Sequence, residues 1–279
     1  MTPGVRRAGF VFLSAFPFFC VAVVGPRSLR TTPAHQMIGS VLFLAAMAAA
    51  WVLGARVIGR EQARLRKLAL AGFLFVAPWT VISFLWVGLG APFQATLSEN
   101  YMRFLVLVSA SILITSAFVV LRDALHDAGE RFYSTVGFAA SVSAGAAYLV
   151  CLNISLAQVA MAIRGEKTPA MWSDFYSALE FFAVVMTYVT TAVFATALGR
   201  ARFLGRVATL AYVAASVILV SLMVLRGVEY PEISATAAPW YTQPGVIAGI
   251  PAVPWIMPGI LGAVLLRRAG EAEAGSMNG

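Results

Sequence analysis

One acidic residue stands inside an apolar stretch that is long enough to cross a lipid bilayer. Residues 171–198 form the stretch. Of the twelve Asp and Glu residues in the chain, Glu180 alone lies well inside such a stretch, about two turns from its start, whereas Asp174 lies in the first turn. An ionised carboxylate in hydrocarbon is costly unless it is paired, solvated or neutralised. We therefore take this helix as the wall of any functional site.

Polar residues recur at helical spacing on both sides of Glu180. Because lipid offers them no hydrogen-bonding partner, we expect this face of the helix to look into a bundle. The residues of this polar stripe are Ser173, Ser177, Glu180, Thr187 and Thr191.

The preceding apolar segment forms a hairpin with this helix, and the loop between them lies outside. Counted from that loop, Asn153 and Gln158 should reach a depth similar to that of Glu180, and Arg226 ends a later segment on the same side. The sequence predicts an outward-facing ligand-binding site made by Glu180, Asn153, Gln158, Arg226 and Thr187 under the aromatic residues Trp172, Tyr176, Trp240 and Tyr241. Two alternatives stay open. Glu180 can instead pair with Arg226 or Arg164 and fix packing, and the aromatic residues can form an interfacial belt.

Several chemistries find no support in the sequence. His35 and His126 fall on opposite sides of the predicted membrane, so they cannot share a metal or a haem. Both lysines, Lys67 and Lys167, lie in loops, which argues against a retinal pigment. Cys20 and Cys151 have no CxxC spacing and are interpreted as small buried side chains. We expect no metal and no cofactor.

Composition indicates a membrane protein. The chain has 279 residues, of which 60% are hydrophobic and 11% charged, with a mean hydropathy of +0.84. A soluble domain carries about 25% charged residues. The net charge of +8 is explained by basic residues that flank membrane helices, so nucleic acid is not an expected partner and the lipid bilayer is.

The predicted fold is an all-α bundle of about eight transmembrane helices. Fourteen of the twenty basic residues fall on one side of these spans, which predicts that this side and both termini face the cytoplasm. We therefore expect a multi-pass protein of the cell membrane, and specifically of a bacterial inner membrane. Prolines at 251, 254 and 258 predict a kinked or broken last helix. The predicted spans are 9–25, 37–58, 68–90, 103–122, 134–162, 174–198, 206–226 and 244–266.

The domain organisation follows from these spans. Residues 1–268 are predicted to form one transmembrane domain, and residues 269–279 a mobile tail. A similar Gly- and Arg-containing pattern at 53–60 and 198–206 raises the possibility of two halves, 1–126 and 127–268, although such residues are also common at cytoplasmic helix ends. Gly137, Ser141 and Gly145, at steps of four, predict close packing of the fifth helix on a neighbour.

Three functions are compatible with this sequence. The favoured one is a small-solute transporter or binder, with an apolar or cationic ligand attracted to Glu180. The second is a membrane-embedded enzyme that acts on a lipid or isoprenoid, with Glu180 or Glu232 as general acid. The third is a structural or assembly subunit of a membrane complex, and homo-oligomerisation is compatible with each of them.

Overall fold

The described part of the chain folds into eight helices. A computed structural model describes residues 3–24, 33–89, 95–228 and 244–276. Within these ranges there is no strand, which confirms the predicted all-α class. The helices are α1 (Pro3–Val24), α2 (Pro33–Leu53), α3 (Ala63–Leu89), α4 (Leu97–Asp127), α5 (Phe132–Ile163), α6 (Ala170–Arg200), α7 (Arg206–Arg226) and α8 (Pro244–Ser276), with a 3₁₀ turn at Ala55–Gly59 between α2 and α3.

Six of these helices, α2 to α7, are long and apolar enough to cross a membrane, by length and composition of the described residues. At a rise of about 1.5 Å per residue, about 20 residues span the hydrocarbon core. The helices α4, α5 and α6 have 31, 32 and 31 residues and therefore extend beyond it. The protein is thus a multi-pass helical membrane bundle.

Each helix packs against the next one along the chain, and α8 returns to pack against α3. Glycines allow the close contact between α8 and α3. A Cβ atom on Gly262 of α8 would meet the Gly72 carbonyl oxygen of α3 at 2.7 Å, and a Cβ on Gly259 would meet the ring of Trp79. The backbones of α3 and α8 therefore approach more closely than larger residues would permit.

Aromatic rings fill the core of the bundle where α3, α4 and α6 meet. The ring of Phe118 on α4 lies 4.7 Å from that of Phe75 on α3 and is stacked at 4.9 Å on that of Phe194 on α6. Phe194 in turn packs where a Cβ on Gly137 of α5 would sit. This contact confirms that Gly137 serves close packing, as its spacing predicts.

Ion pairs gather at one end of the bundle, which we call the inner end. Glu273 of α8 pairs with Arg56 and Arg60, and Glu130 pairs with Arg200 at 2.8 Å. Lys67 pairs with Asp127 at 2.8 Å, and also with Asp123. The predicted cytoplasmic side is therefore an ion-paired layer that links α3 to α4, the turn before α5 to α6, and α8 to the region of the 3₁₀ turn.

The first and last helices meet at this same end. The Arg267 guanidinium of α8 lies 5.1 Å from the centre of the Phe10 ring of α1. The described parts of both terminal helices therefore lie on one side, as an even number of spans requires. The identity of that side as the cytoplasm stays a prediction.

Two features of α8 differ from expectation. The helix is continuous through Pro251, Pro254 and Pro258, so a break at these prolines, one of the two expected outcomes, is not observed. It also continues to Ser276, whereas a mobile tail was predicted from residue 269. The reason is tertiary, because Glu273 is buried by its arginine partners. The division into two halves stays a prediction, and α4 packs extensively on α5 across the proposed boundary.

Candidate functional site

The α5–α6 hairpin carries most of the predicted site, and one contact fixes its register. The Cys151 thiol of α5 lies 3.9 Å from the carbonyl oxygen of Tyr176 of α6. Cys151 and Tyr176 are therefore level with each other. The sequence indicated that Cys151 is buried, which the structure confirms, but it gave no sign of this contact.

Glu180 lies one turn further inward than Tyr176 and is half-buried. Its carboxylate is close enough to Cys151 to interact with it electrostatically. Glu180 therefore lies close to α5 and is partly shielded from bulk solvent. Because Trp172, Tyr176 and Glu180 are spaced by four residues, they lie along one side of α6.

The predicted equality of depth between Glu180 and the polar residues of α5 is wrong. From the Cys151–Tyr176 level, Gln158 lies seven residues outward and Glu180 four residues inward, which separates them by about 16 Å along the helix axes. For Asn153 the same separation is about 9 Å. Counting from the loop failed because the two helices extend outward from the Cys151–Tyr176 level by different lengths. Beyond this level α5 continues for twelve residues to Ile163, whereas α6 begins only six residues outward, at Ala170.

Asn153 and Trp172 lie together in a groove on the outer half of the hairpin. The groove has a volume of about 360 Å³, and the remaining lining residues are Leu149, Val150, Ile154 and Ala157. The Asn153 side chain is exposed, and its amide donates to the Leu149 carbonyl oxygen at 2.7 Å. The Asn153 amide and the Trp172 indole are thus the polar groups that the groove presents.

The inner part of the polar stripe on α6 enters the bundle core. Thr187 and Thr191 are buried, whereas Ser173 near the outer end is exposed. The Thr187 hydroxyl donates to the Ala183 carbonyl oxygen at 2.8 Å. The stripe therefore leads from the outer surface at Ser173 to the interior at Thr191.

Four residues with a predicted functional role cannot be placed. Trp240 and Tyr241 lie outside the described residues, as does Glu232, and the side chain of Arg226 at the end of α7 also falls outside them.

A small cavity near the middle of the bundle was not predicted. It lies between α4, α5 and α6, has a volume of about 30 Å³, and borders Thr187. Ser111 and Thr115 of α4 contribute to its wall. Their spacing of four residues within an apolar span was the available signal for an inward-facing polar patch.

The outer loop between α5 and α6 carries its own ion pair. Arg164 donates to Glu166 at 2.7 Å and 2.8 Å. The hydrogen bonds to Arg164 hold the pKa of Glu166 below its ordinary value, and those to Glu166 raise the pKa of Arg164. Arg164 is thereby engaged by its neighbour in the loop.

Comparison of the chain with protein-family models, with curated proteins and with solved structures gave no match.

Proposed function

We propose that this membrane protein is a small-solute transporter or binder whose site lies on the outer half of the α5–α6 hairpin. The observation that carries the proposal is the placement of Glu180, which is half-buried against α5 beside Cys151. Carboxylates at membrane depth are rare and commonly mark ligand or ion pathways. Glu180 is the acidic group of the hairpin with this placement among the residues described.

The groove indicates the shape of the solute. Its walls are aliphatic except for the Asn153 amide and the indole of Trp172. A volume of about 360 Å³ lies within the range of small-molecule sites. Trp172 and Glu180 are eight residues apart on one side of α6, or about 12 Å along the axis. A ligand that contacts both is therefore elongated.

The charges indicate a cation. A carboxylate attracts a positive group, and an indole ring binds cations over its face. The apolar walls favour a molecule whose remaining surface is hydrophobic. We infer that the solute is an elongated apolar molecule with a cationic group, and that it enters from the outer side.

Ethidium is a suitable probe because it is a flat, fluorescent, apolar cation. Wild-type protein in lipid nanodiscs should bind it with a measurable rise in fluorescence. Replacing Glu180→Gln removes the charge and keeps the shape of the side chain. If the charge contributes about 1.4 kcal/mol, the affinity falls about tenfold. Uptake of ethidium into proteoliposomes then separates a transporter from a binder.

The matched control is Asp174→Asn. Asp174 lies on the same helix and undergoes the same chemical change, but its side chain is exposed. Its affinity for ethidium should equal that of the wild type. Wild-type protein that does not bind ethidium, or equal affinities for Glu180→Gln and wild type, would count against the site.

A further inference from the structure

The cavity between α4, α5 and α6 contains an unusual polar group. Ser111 of α4 is 3% exposed and lines the cavity. Among the described residues, its hydroxyl has no hydrogen-bonding partner. A buried hydroxyl without a partner costs about 1–3 kcal/mol on removal from water, and most such groups in proteins are satisfied by protein or by ordered water.

Four other hydroxyls of the cavity wall have already used their hydrogens. Thr115, Ser141, Thr187 and Thr190 donate to carbonyl oxygens of their own helices at 2.7–2.9 Å. Each oxygen keeps a lone pair, so these four groups are acceptors. The wall therefore offers several acceptors together with the Ser111 hydroxyl, which still has a hydrogen to donate.

We propose that this cavity is a binding site for one or two water molecules near the middle of the membrane. A water molecule donates two hydrogen bonds and accepts two, which matches acceptors from α5 and α6 and a donor from Ser111. The volume of about 30 Å³ exceeds the roughly 10–15 Å³ that a water molecule requires.

A cation fits this wall less well than water. It could accept no hydrogen bond from Ser111, and the residues that line the cavity carry no charged side chain. A charge without a counter-charge at this depth is costly. The bound water would join α4 to α5 and α6 through hydrogen bonds to Ser111 and to the acceptors of the other two helices.

The site does not depend on Glu180 or on any solute. It lies two turns inward from Glu180 on α6, at Thr187, and its detection requires no transport assay. Failure of the ethidium experiment would therefore leave this proposal intact, and a dry cavity would leave the proposed solute site intact.

X-ray radiolytic footprinting in ¹⁸O-labelled water provides the test. Hydroxyl radicals form from water molecules at their bound positions and oxidise the side chains that touch them. Phe118 lines the cavity and is 3% exposed, whereas Phe75 is equally buried and does not line it. We expect ¹⁸O to enter Phe118 at several times the rate found for Phe75. Equal, negligible rates at both would show that the cavity is dry and overturn the proposal.

Two further measurements exclude other occupants. Ser111→Val fills space and removes the donor, so labelling of Phe118 should fall to the level of Phe75. Unchanged labelling in this variant would also refute the assignment. If the unfolding temperature of the wild type rises in sodium chloride relative to choline chloride, and Ser111→Ala loses that rise, the occupant is a cation and the water assignment is wrong.

Discussion

The carboxylate that joins α8 to the turn after α2 offers a sharp test of the packing. Glu273 accepts the Nε hydrogens of Arg56 and Arg60, each at 3.0 Å, and its side chain is only 7% exposed. Glu273→Gln keeps the size of the side chain and removes its charge. Two guanidinium groups then face a neutral amide, which can accept a hydrogen bond from one of them but no longer balances their charge.

The exposure of the partners sets the magnitude. Removing one member of a buried ion pair costs about 3–5 kcal/mol, whereas a pair on the surface contributes about 0–1 kcal/mol. Arg56 is 21% exposed and Arg60 is 61% exposed, so solvent screens the second pair strongly. We expect a loss of about 2 kcal/mol, which corresponds to a fall of roughly 4–8 °C in unfolding temperature.

The assay is thermal unfolding of purified protein in one detergent, and Glu271→Gln is the control. Glu271 lies on the same helix, but it and its partner Arg267 are exposed, at 39% and 48%. Its unfolding temperature should change by no more than the equivalent of about 0.5 kcal/mol. Equal shifts in the two variants would refute the inference that Glu273 anchors the end of α8.

The pH dependence gives an independent check. Burial by itself raises the pKa of Glu273, but the hydrogen bonds and charges of Arg60 and Arg56 outweigh it and hold the pKa below its ordinary value of 4.5. A carboxyl group with a lowered pKa in the folded state stabilises that state above the unfolded pKa, and the contribution is lost as pH falls through the folded pKa. The difference between wild type and Glu273→Gln should therefore persist at neutral pH and shrink below about pH 4.5. A difference that does not shrink in acid would rule out the ion pair as its cause.

Three further outcomes test the fold. Gly262→Ala should lower stability by about 1–3 kcal/mol because its Cβ would overlap α3, whereas Gly205→Ala, with open space around it, should leave the unfolding temperature unchanged. Phe194→Ala should cost about 3–5 kcal/mol by removing a fully buried ring, and a shift equal to that of a surface substitution would contradict the packing. In a cysteine-free background, Ala170→Cys should react with an impermeant thiol reagent from outside and Ala201→Cys should not, and the reverse labelling would overturn the predicted orientation.

The presence of membrane-spanning helices was predictable from the sequence because apolar composition over about 20 residues is a local property. The close packing at Gly137 was predictable for the same reason, since its small neighbours recur every four residues. The end of α8 was not predictable. Its Gly- and Glu-containing sequence resembles a solvated tail, and it is helical because Glu273 meets Arg56 and Arg60, which lie more than 200 residues earlier in the chain.

The candidate site was predictable only in part. The burial of Thr187 followed from its helical spacing relative to Glu180. The relative depths of Asn153 and Gln158 did not, because they depend on the register between two helices, and this register is fixed by side-chain contacts such as that of Cys151. The mid-membrane cavity was also missed, since it needs three helices to form and each contributes only one or two hydroxyl groups that are unremarkable alone.

The distribution of burial along α6 connects the fold to the proposed function. Among the described residues of this helix, the fully buried ones begin at Ala183 and continue to Leu198, and none lies in the outer turns that carry Trp172, Tyr176 and Glu180. Low burial permits local opening, whereas a packed core resists it. The inner half, with its stacked rings and ion pairs, can therefore hold the helices together while the outer half of α6 separates from α5 to admit a ligand. A site placed in the inner half would need the core to be disrupted for the same entry, which is a physical reason for Glu180 to lie where the packing becomes loose.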